Sequence, residues 1–535
     1  MFMKKITHLK EAFLEFLMVC KFCTKNKKYW NSYKSKGTYI YIAHTFPSMF
    51  EMLFSEMLFC KGMECISKYN FIALSSRREI SFKKICKSFY IEPFFINRFS
   101  IKLYAKVFKE TLKMRSQITN GRDLLRYKYR KILIGPSVYD SILLNIGRCT
   151  YEGERNFKTF RVFFKSILLV EQLTNIFSQK PPSLCIVMEE AYEAEIYRRV
   201  AKAYGARIIW ISQMLKEYVD QNGNVTTFYD NILKREIGEK LEKVQQEGIY
   251  TSEVERQLNN YYQKGDIGDI KGRVLSGAAV KDKVTKTKEE MIKEINLDPN
   301  KKNIFIFSHC MTDGPHACYN LLYQDYFVWL KRTLEIARRV KSVNWIVKLH
   351  PDRFKRVGQE KIDTQKIIDE CEKSNNIYIY PDEYSLLSVK MLADAVVTAR
   401  GKVGEEMSCY GIPVITAGSP CYSVWGYTHT FDTAEEYEKC LFDIDKIERL
   451  DASKIDLAKK IFYAHSLSTY EIMNDDIGKE IKKATQERKE GTISYRIINI
   501  KFLKKMLSGK IFAKMRKSHI YMAGKKYAER TETAV

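Results

Sequence analysis

Proline and glycine are scarce in this 535-residue chain, at 11 and 25 residues. With 45% hydrophobic residues beside so few breakers, collagen-like, low-complexity and wholly disordered classes are excluded. Long apolar runs are missing too. A membrane-spanning helix needs roughly 18 uninterrupted apolar residues, and the nearest stretch, residues 13–20, is broken by Glu15. No secretory leader is expected, because Glu11 and Glu15 interrupt the apolar residues after Lys4 and Lys5, and no small-residue cleavage site follows. Cysteine lacks any repeated spacing: there are 13, an odd number, mostly in expected helix and strand interiors, which suits reduced thiols in a cytoplasm. Cys20-x-x-Cys23 has no second pair and reads as two half-buried thiols. Acids are in deficit, 64 against 90 Lys and Arg, leaving +26. That charge attracts anions without choosing among nucleic acid, lipid and nucleotide-activated substrates.

What is present is a strand-and-helix grammar long enough for two domains plus connecting segments. Residues 1–35 read as a basic amphipathic helix, with Phe13, Leu14, Phe16, Leu17 and Cys20 near one face, to lie either on the fold or on a membrane. Over residues 36–231, short β-branched or aromatic runs at 38–43, 131–135, 184–188 and 206–211 alternate with helical stretches, so a parallel sheet with crossovers is expected. Residues 232–300, dominated by Lys, Glu and Gln, read as a helical connector. A second series fills 301–466, with strands at 303–308, 344–349, 377–380, 395–398 and 413–416. Residues 467–535 read as helical and strongly basic from Arg496 onward. The expectation is an α/β protein of two doubly wound, Rossmann-like domains without internal repeats.

Open parallel sheets bind ligands beyond the carboxyl ends of their strands, where backbone N–H groups meet anions. In the second series, 303–308 runs into His309 and Asp313-Gly314-Pro315-His316, and 344–349 runs into His350-Pro351. Residues 395–398 run into Arg400-Gly401-Lys402-Val403-Gly404-Glu405-Glu406. Such loops offer cations and N–H donors to a nucleotide phosphate and a carboxylate to its ribose. Each piece also has an ordinary reading: His350-Pro351 as a helix start, Gly401-x-x-Gly404 as a tight turn, the two glutamates as partners of a helix dipole. Their recurrence at successive strand ends is what points to a nucleotide. His309 and His316 lack a metal-ligand spacing, and no metal is expected.

Four motifs, FSHCMTDGPH, DYFVWL, VNWIVKLHP and LADAVVTARGKVGEEMSCYGIPVITAG, carry a resemblance. Across 303–427 the chain resembles the C-terminal domain of bacterial capsule and surface-polysaccharide biosynthesis proteins of the GT-B glycosyltransferase type. It is similar to capsular Kdo-transferases and, more distantly, to teichoic-acid polymerases. The resemblance implies two Rossmann-like domains facing across a cleft. It also implies that His350-Pro351 contacts donor phosphate and that the loop of Gly401, Gly404 and Glu406 closes over the nucleotide. In the first half it rests on ILIGPSVYDS and EEAYEAEIYRRVAKAYGARII, where such proteins bind acceptor. Two residues depart from the pattern. Lys402 stands where the group often has a hydroxyl, and Thr398 stands eight before Glu406, where many retaining enzymes have glutamate, which leans toward an inverting reaction.

Inverting transfer needs a base for the acceptor hydroxyl and cations or N–H dipoles for the departing phosphate. Candidates for the base are His44, Asp140 and Glu189 or Glu190, each following a strand of the first domain; His44 and Asp140 also read as helix caps. Asp140 and Glu189 are favoured without being separated. Residues 81–131 and 496–530 interleave bases with apolar residues, which suits either an interfacial helix on anionic lipid or a solvated face. Nucleic acid is not expected, for no recognition motif accompanies the charge. The expected protein is a cytoplasmic, membrane-peripheral glycosyltransferase without a cofactor. It would move a sugar from a nucleotide-sugar donor to a capsular or related polysaccharide, or its lipid-linked precursor, beside other capsule-assembly proteins. The alternatives are a sugar-nucleotide epimerase of the same architecture or an inactive scaffold.

Overall fold

A computed structural model of the chain describes residues 2–31, 38–46, 48–76, 79–96, 100–189, 191–211, 215–217, 241–242, 244–246, 248, 250–264, 283–317, 320–351, 358–464, 473 and 475–532. Their strands are β1 (Tyr39–Ala43), β2 (Asn70–Ser75), β3 (Glu92–Phe95), β4 (Lys128–Tyr129), β5 (Ile132–Leu133), β6 (Pro182–Val187), β7 (Arg207–Ile211), β8 (Leu215–Glu217), β9 (Asn303–Phe307), β10 (Asn344–Lys348), β11 (Ile377–Ile379), β12 (Ala395–Thr398), β13 (Val414–Thr416) and β14 (His429–Thr430). The chain divides into two compact units. Unit 1 is Met1–Glu110, Ser166–Thr227 and Tyr470–Val535; unit 2 is Thr111–Lys165 and Phe228–Thr469. Residues 111–165, expected within the first domain, thus pack with the second, and nearly all of 467–535 is part of the first.

The sheet of unit 1 has the order β3-β2-β1-β6-β7-β8, parallel except for the β7–β8 pair. Numbered by rank within the sheet this is 3-2-1-4-5-6, the Rossmann order. The helix Phe50–Glu64 is apolar around most of its circumference, and accordingly it is buried along nearly its whole length. Its Gly62 admits the helix His519–Glu532 at close range: a Cβ there would collide with the Tyr521 carbonyl, and one at Gly524 with the Phe59 carbonyl.

The same core takes Val19 and Phe22 from the helix Phe2–Tyr29, and Ile498, Phe502, Leu503, Phe512 and Ile520 from the terminal helices. Here the lipid reading of 496–530 is corrected. Its apolar residues pack inside unit 1, while Arg496 lies 3.6 Å from Glu15 and Lys514 lies 2.5 Å from Asp476. A base-and-apolar pattern is written identically for a helix lying on lipid and for one lying on a protein layer, so sequence alone does not separate them. On the first helix Cys23 is part of the packing, and burial pushes its thiol up to about 11.

Residues 131–135 also differ from expectation. Instead of a parallel strand they supply β5 of a small antiparallel hairpin with β4, followed by the helix Gly135–Ile142 with Pro136 in its first turn. The unforeseen strands β2 and β3 complete that edge of the unit 1 sheet.

Unit 2 holds a fully parallel sheet, β11-β10-β9-β12-β13-β14, again in Rossmann order. Trp329, Trp345, Ile304, Ile306 and Val397 lie in its core. The α/β class with two Rossmann-like domains is therefore the one observed. From the expected connector, the helices Tyr250–Lys264 and Lys288–Ile295 bury Val254, Leu258 and Met291. Residues 218–231 of the expected first domain, residues 232–240 and 265–282 of the expected connector, and Glu190 lie outside the described residues. Among the described residues no helix is long and apolar enough to cross a membrane.

Candidate functional site

In unit 2, β9 and β12 are neighbours whose onward connections run to opposite sides of the sheet, which makes the gap beyond their carboxyl ends the topological switch point. Ser308 and Thr398 bring hydroxyls to this end. Ser308 Oγ accepts the His350 backbone N–H at 2.8 Å, and Thr398 Oγ1 accepts that of Gly401 at 3.1 Å. The His309 ring stacks on Tyr326, with centroids 4.1 Å apart and planes 10° from parallel. Its Nε2 accepts the Arg400 backbone N–H at 3.4 Å, which puts the ring proton on Nδ1. Burial, then the nearby Arg400 and His350, hold His309 well below the usual histidine range, so it is neutral.

Arg400, expected at phosphate, is turned to the loop after β9 and to Tyr326. Nε donates to the Tyr326 hydroxyl at 2.7 Å, and the terminal nitrogens to the carbonyls of Ala317 at 2.9 Å and Gly314 at 3.0 Å. Lys402 is exposed at the following turn. At Gly401 a Cβ would stand 2.8 Å from Thr398 Oγ1, so this turn tolerates only glycine without a shift. Gly404 has a packing reason: a Cβ would strike the hydroxyl of Tyr422, which donates to the Gly401 carbonyl at 2.5 Å. Glu405 and Glu406 are both buried in the short helix Val403–Ser408, His350 is half-buried and Pro351 is exposed.

His316 and Asp140, placed on different domains by the sequence reading, meet inside unit 2. Asp140 is 0% exposed; its Oδ1 lies 2.6 Å from His316 Nδ1 and its Oδ2 accepts the His316 backbone N–H at 3.1 Å. The other ring nitrogen donates to the Gln324 carbonyl at 2.7 Å, so both nitrogens carry protons and the ring is an imidazolium. Burial opposes that charge, but Asp140 and the Gln324 carbonyl outweigh it and raise His316 above its ordinary value. Alongside, Tyr139 donates to the N-cap residue Asp325 at 2.5 Å. The carboxylate expected as a base of the first domain is therefore a buried counterion that ties residues 111–165 to the loop after β9. No strand-end argument predicts this, because the KILIG run that placed Asp140 is a hairpin strand.

In unit 1 the switch point lies between β1 and β6. His44 follows β1 and Glu189 follows β6. His44 is 0% exposed: Nδ1 lies 2.7 Å from Glu56 Oε2, and the ring stacks on Phe82 at 5.7 Å. Burial raises the Glu56 carboxyl and His44 opposes it. His44 Nε2, Thr45 Oγ1 and Glu56 Oε1 are buried without hydrogen-bond partners among the described residues. Glu189 is half-buried at the end of β6, and Tyr192, three residues on, sits at φ 57°, a strained position for a tyrosine. Sequence reasoning missed Glu56, Ser308, Tyr326 and Tyr422, and took Thr398 only as a departure from glutamate. Ser308 and Thr398 carried a usable signal, as polar residues at the very ends of apolar strand runs. No group of three or more His, Cys, Asp or Glu side chains that could hold a metal ion occurs among the described residues.

Residues 255–442, less than half the chain, match the family model described as Capsule polysaccharide biosynthesis protein. That segment contains every strand of the six-stranded sheet of unit 2 and the strand-end residues of that sheet. No curated protein matches the sequence. Among solved structures, the chain is similar to KpsC, the beta Kdo 2,4 transferase of Thermosulfurimonas dismutans, at 12% identity over 53% of this chain and 79% of that one, with a TM-score of 0.31. It is similar to the UDP-GlcNAc 2-epimerase of Neisseria meningitidis bound to UDP-GlcNAc, at 9% identity over 85% and 100% with a TM-score of 0.25. It is also similar to Anabaena HepE in complex with UDP-glucose, at 10% identity over 84% and 99% with a TM-score of 0.28. Likeness at this level says nothing of the chemistry of this chain.

Proposed function

We propose that this chain, similar over residues 255–442 to capsule polysaccharide biosynthesis proteins, is a glycosyltransferase. It moves a sugar from a nucleotide-sugar donor to a capsular or related surface polysaccharide or its lipid-linked precursor. The observation that supports this most is the switch point of the unit 2 sheet. There a neutral histidine, two strand-end hydroxyls, a glycine turn beside an exposed lysine and two buried glutamates gather where parallel sheets take nucleotides. In this reading the turn at Gly401 and Lys402 receives the donor phosphate, His309 donates from Nδ1, His350 lies at the phosphate side and Glu406 accepts from the ribose. Glu189 is the candidate base for a single inverting displacement without a metal. Asp140 is set aside for that role because it is consumed by His316, and His44 because it is fully buried against Glu56.

Nucleotide binding tests the reading. CMP, UDP, GDP and CDP are screened by thermal shift, since a ligand bound only to the folded state at 100 times its Kd adds about 2.7 kcal/mol of apparent stability. One of them is expected to raise the melting temperature. His350→Ala is expected to weaken that nucleotide about tenfold while the free protein melts unchanged, because loop residues contribute little core. A charge-assisted hydrogen bond is worth roughly 1.5–3 kcal/mol, so Glu406→Gln is expected to cost more nucleotide affinity than Glu405→Gln. No shift with any nucleotide, or a greater loss at Glu405, counts against the site as assigned. Donor-dependent glycan extension then identifies a transferase, and free sugar-nucleotide interconversion an epimerase.

An anionic membrane surface remains part of the proposal, carried by the first helix rather than by residues 496–530. On the helix Phe2–Tyr29, Leu9 (71% exposed), Phe13 (62%) and Leu17 follow at four-residue spacing on one face, with Lys10 and Lys21 exposed on the same helix. Each lysine near such a surface adds about 1 kcal/mol. Replacing Leu9 and Phe13 by serine is expected to abolish most cosedimentation with anionic liposomes; unchanged cosedimentation would remove the membrane from the reading.

A further inference from the structure

A cavity of about 840 Å³ opens in unit 2 among residues 120–126 and 150–152, the helix Tyr326–Ala337 and the start of the helix Ala434–Phe442. Its size lies within the roughly 300–1,000 Å³ of ligand pockets. The wall is held in place by Gln324. Its amide donates to the Tyr139 hydroxyl at 2.9 Å and the Tyr151 carbonyl at 3.1 Å, while its own carbonyl accepts from His316. Tyr323 and Phe327 are half-buried in the lining and bring flat apolar faces. Most carboxylates of the wall are already engaged: Glu438 takes Arg332 through two hydrogen bonds of 2.8 and 2.7 Å, Glu335 lies 3.1 Å from the same guanidinium, and Glu152 lies 3.6 Å from Arg148. Glu435 is the further acid of the lining. Arg122, Arg126 and Lys331 are exposed and have no acidic partner among the described residues.

We propose that this cavity binds a segment of acidic oligosaccharide, with sugar rings against Tyr323 and Phe327 and anionic substituents at Arg122, Arg126 and Lys331. Aromatic faces suit the apolar C–H faces of sugar rings, and arginine forks suit carboxylate or phosphate oxygens. The inference rests on the surface-glycan reading above and adds the acceptor class that reading leaves open. Carboxylate and phosphate share the recognising chemistry, so both are offered as probes.

The full chain is titrated by calorimetry, at physiological salt, with a hexamer of sialic acid (carboxylates), a hexamer of ribitol phosphate (phosphates) and maltohexaose (neither). At least one acidic chain is expected to bind about tenfold or more tighter than maltohexaose, a difference of about 1.4 kcal/mol. The combined variant Arg122→Glu, Arg126→Glu, Lys331→Glu is expected to abolish that preference, and Phe327→Ala to weaken all three chains. A control variant, Lys341→Glu, Lys366→Glu, Lys373→Glu, changes the net charge equally at exposed positions outside the lining and is expected to bind as the parent does. Equal binding of acidic and neutral chains, no binding at millimolar concentration, or equal loss in the control overturns the proposal. Nucleotide thermal shifts on the same proteins separate the two readings. Glycan binding lost with nucleotide binding intact sinks only the cavity, whereas nucleotide binding absent from the parent sinks the transferase.

Discussion

A chain ending at Ser494 is expected to lose the cooperative fold of unit 1. The missing residues include Ile498, Phe502, Leu503, Met506, Phe512, Ile520 and Tyr521, all buried in the unit 1 core. At roughly 1.5–3 kcal/mol for each large apolar side chain, the lost burial comes to the order of 10–20 kcal/mol as an upper bound. Whole domains are stable by only about 5–15 kcal/mol. The deletion would also uncover the helix Phe50–Glu64 along the face where Gly62 and Phe59 meet Tyr521 and Gly524. Limited proteolysis and near-ultraviolet circular dichroism of the truncated and full chains check this. The expected pattern is rapid cleavage within residues 38–211 of the truncated form. Had the terminal helices served only as a lipid anchor, the truncated chain would keep the melting behaviour of unit 1 and lose only liposome binding. That result would return the segment to the membrane. Lys501→Glu with Lys504→Glu is the companion measurement: both side chains are exposed, and a change within about 0.5 kcal/mol is expected, as for ordinary surface substitutions.

Much of the architecture was written in the sequence because parallel strands buried on both faces need continuous apolar runs. NIFIF, NWIVK, AVVT and PSLCIV are such runs, and their ends fixed where His309, His350, Arg400 and Glu189 would stand. Edge strands were harder to read. β3, with sequence EPFF, and β14, of two residues, have neither length nor periodicity to mark them. The run KILIG had the right composition for a sheet strand, yet Arg130 and Lys131, at φ 50° and 65°, form a turn that folds it back on Lys128 and Tyr129. Both residues are neither glycine nor asparagine, so nothing local advertised the left-handed turn.

The largest departures are of long range. Residues 111–165 belong to unit 2 through contacts such as Asp140 with His316 and Tyr139 with Asp325, more than 170 positions apart. A pattern of periodicity carries no record of such partners. The site itself divides the same way. The strand ends were legible, whereas the direction of Arg400, the ring of Tyr422 over Gly404 and the Glu56 behind His44 depend on side chains from elsewhere in the fold.

Asp140→Asn is expected to cost about 3–5 kcal/mol on the acid side of neutrality, the usual penalty for removing one partner of a buried ion pair, because an imidazolium left without its counterion must give up its proton to fold. The loss should depend on pH in a definite direction. His316 has its folded value raised above the ordinary 6.5, so the stability it contributes is fully present below that ordinary value and fades as pH rises through the raised one. In the variant the carboxylate that raises it is gone. His316 then folds neutral, and it favours unfolding wherever the unfolded chain would protonate it. The difference between parent and variant is therefore greatest on the acid side of neutrality and shrinks once pH passes the raised value of His316, where the parent has also lost its imidazolium. Urea unfolding of unit 2, followed through its buried Trp329 and Trp345, measures both proteins across that range. A loss that stays the same from acid to alkaline pH would mean that Asp140 serves by shape or by hydrogen bonding alone, and a loss below about 1 kcal/mol would mean that the pair is too well hydrated to count as buried. His316→Gln completes the test. It offers an amide donor to the Asp140 carboxylate but no charge, so the pH dependence should vanish while part of the attachment of residues 111–165 is kept.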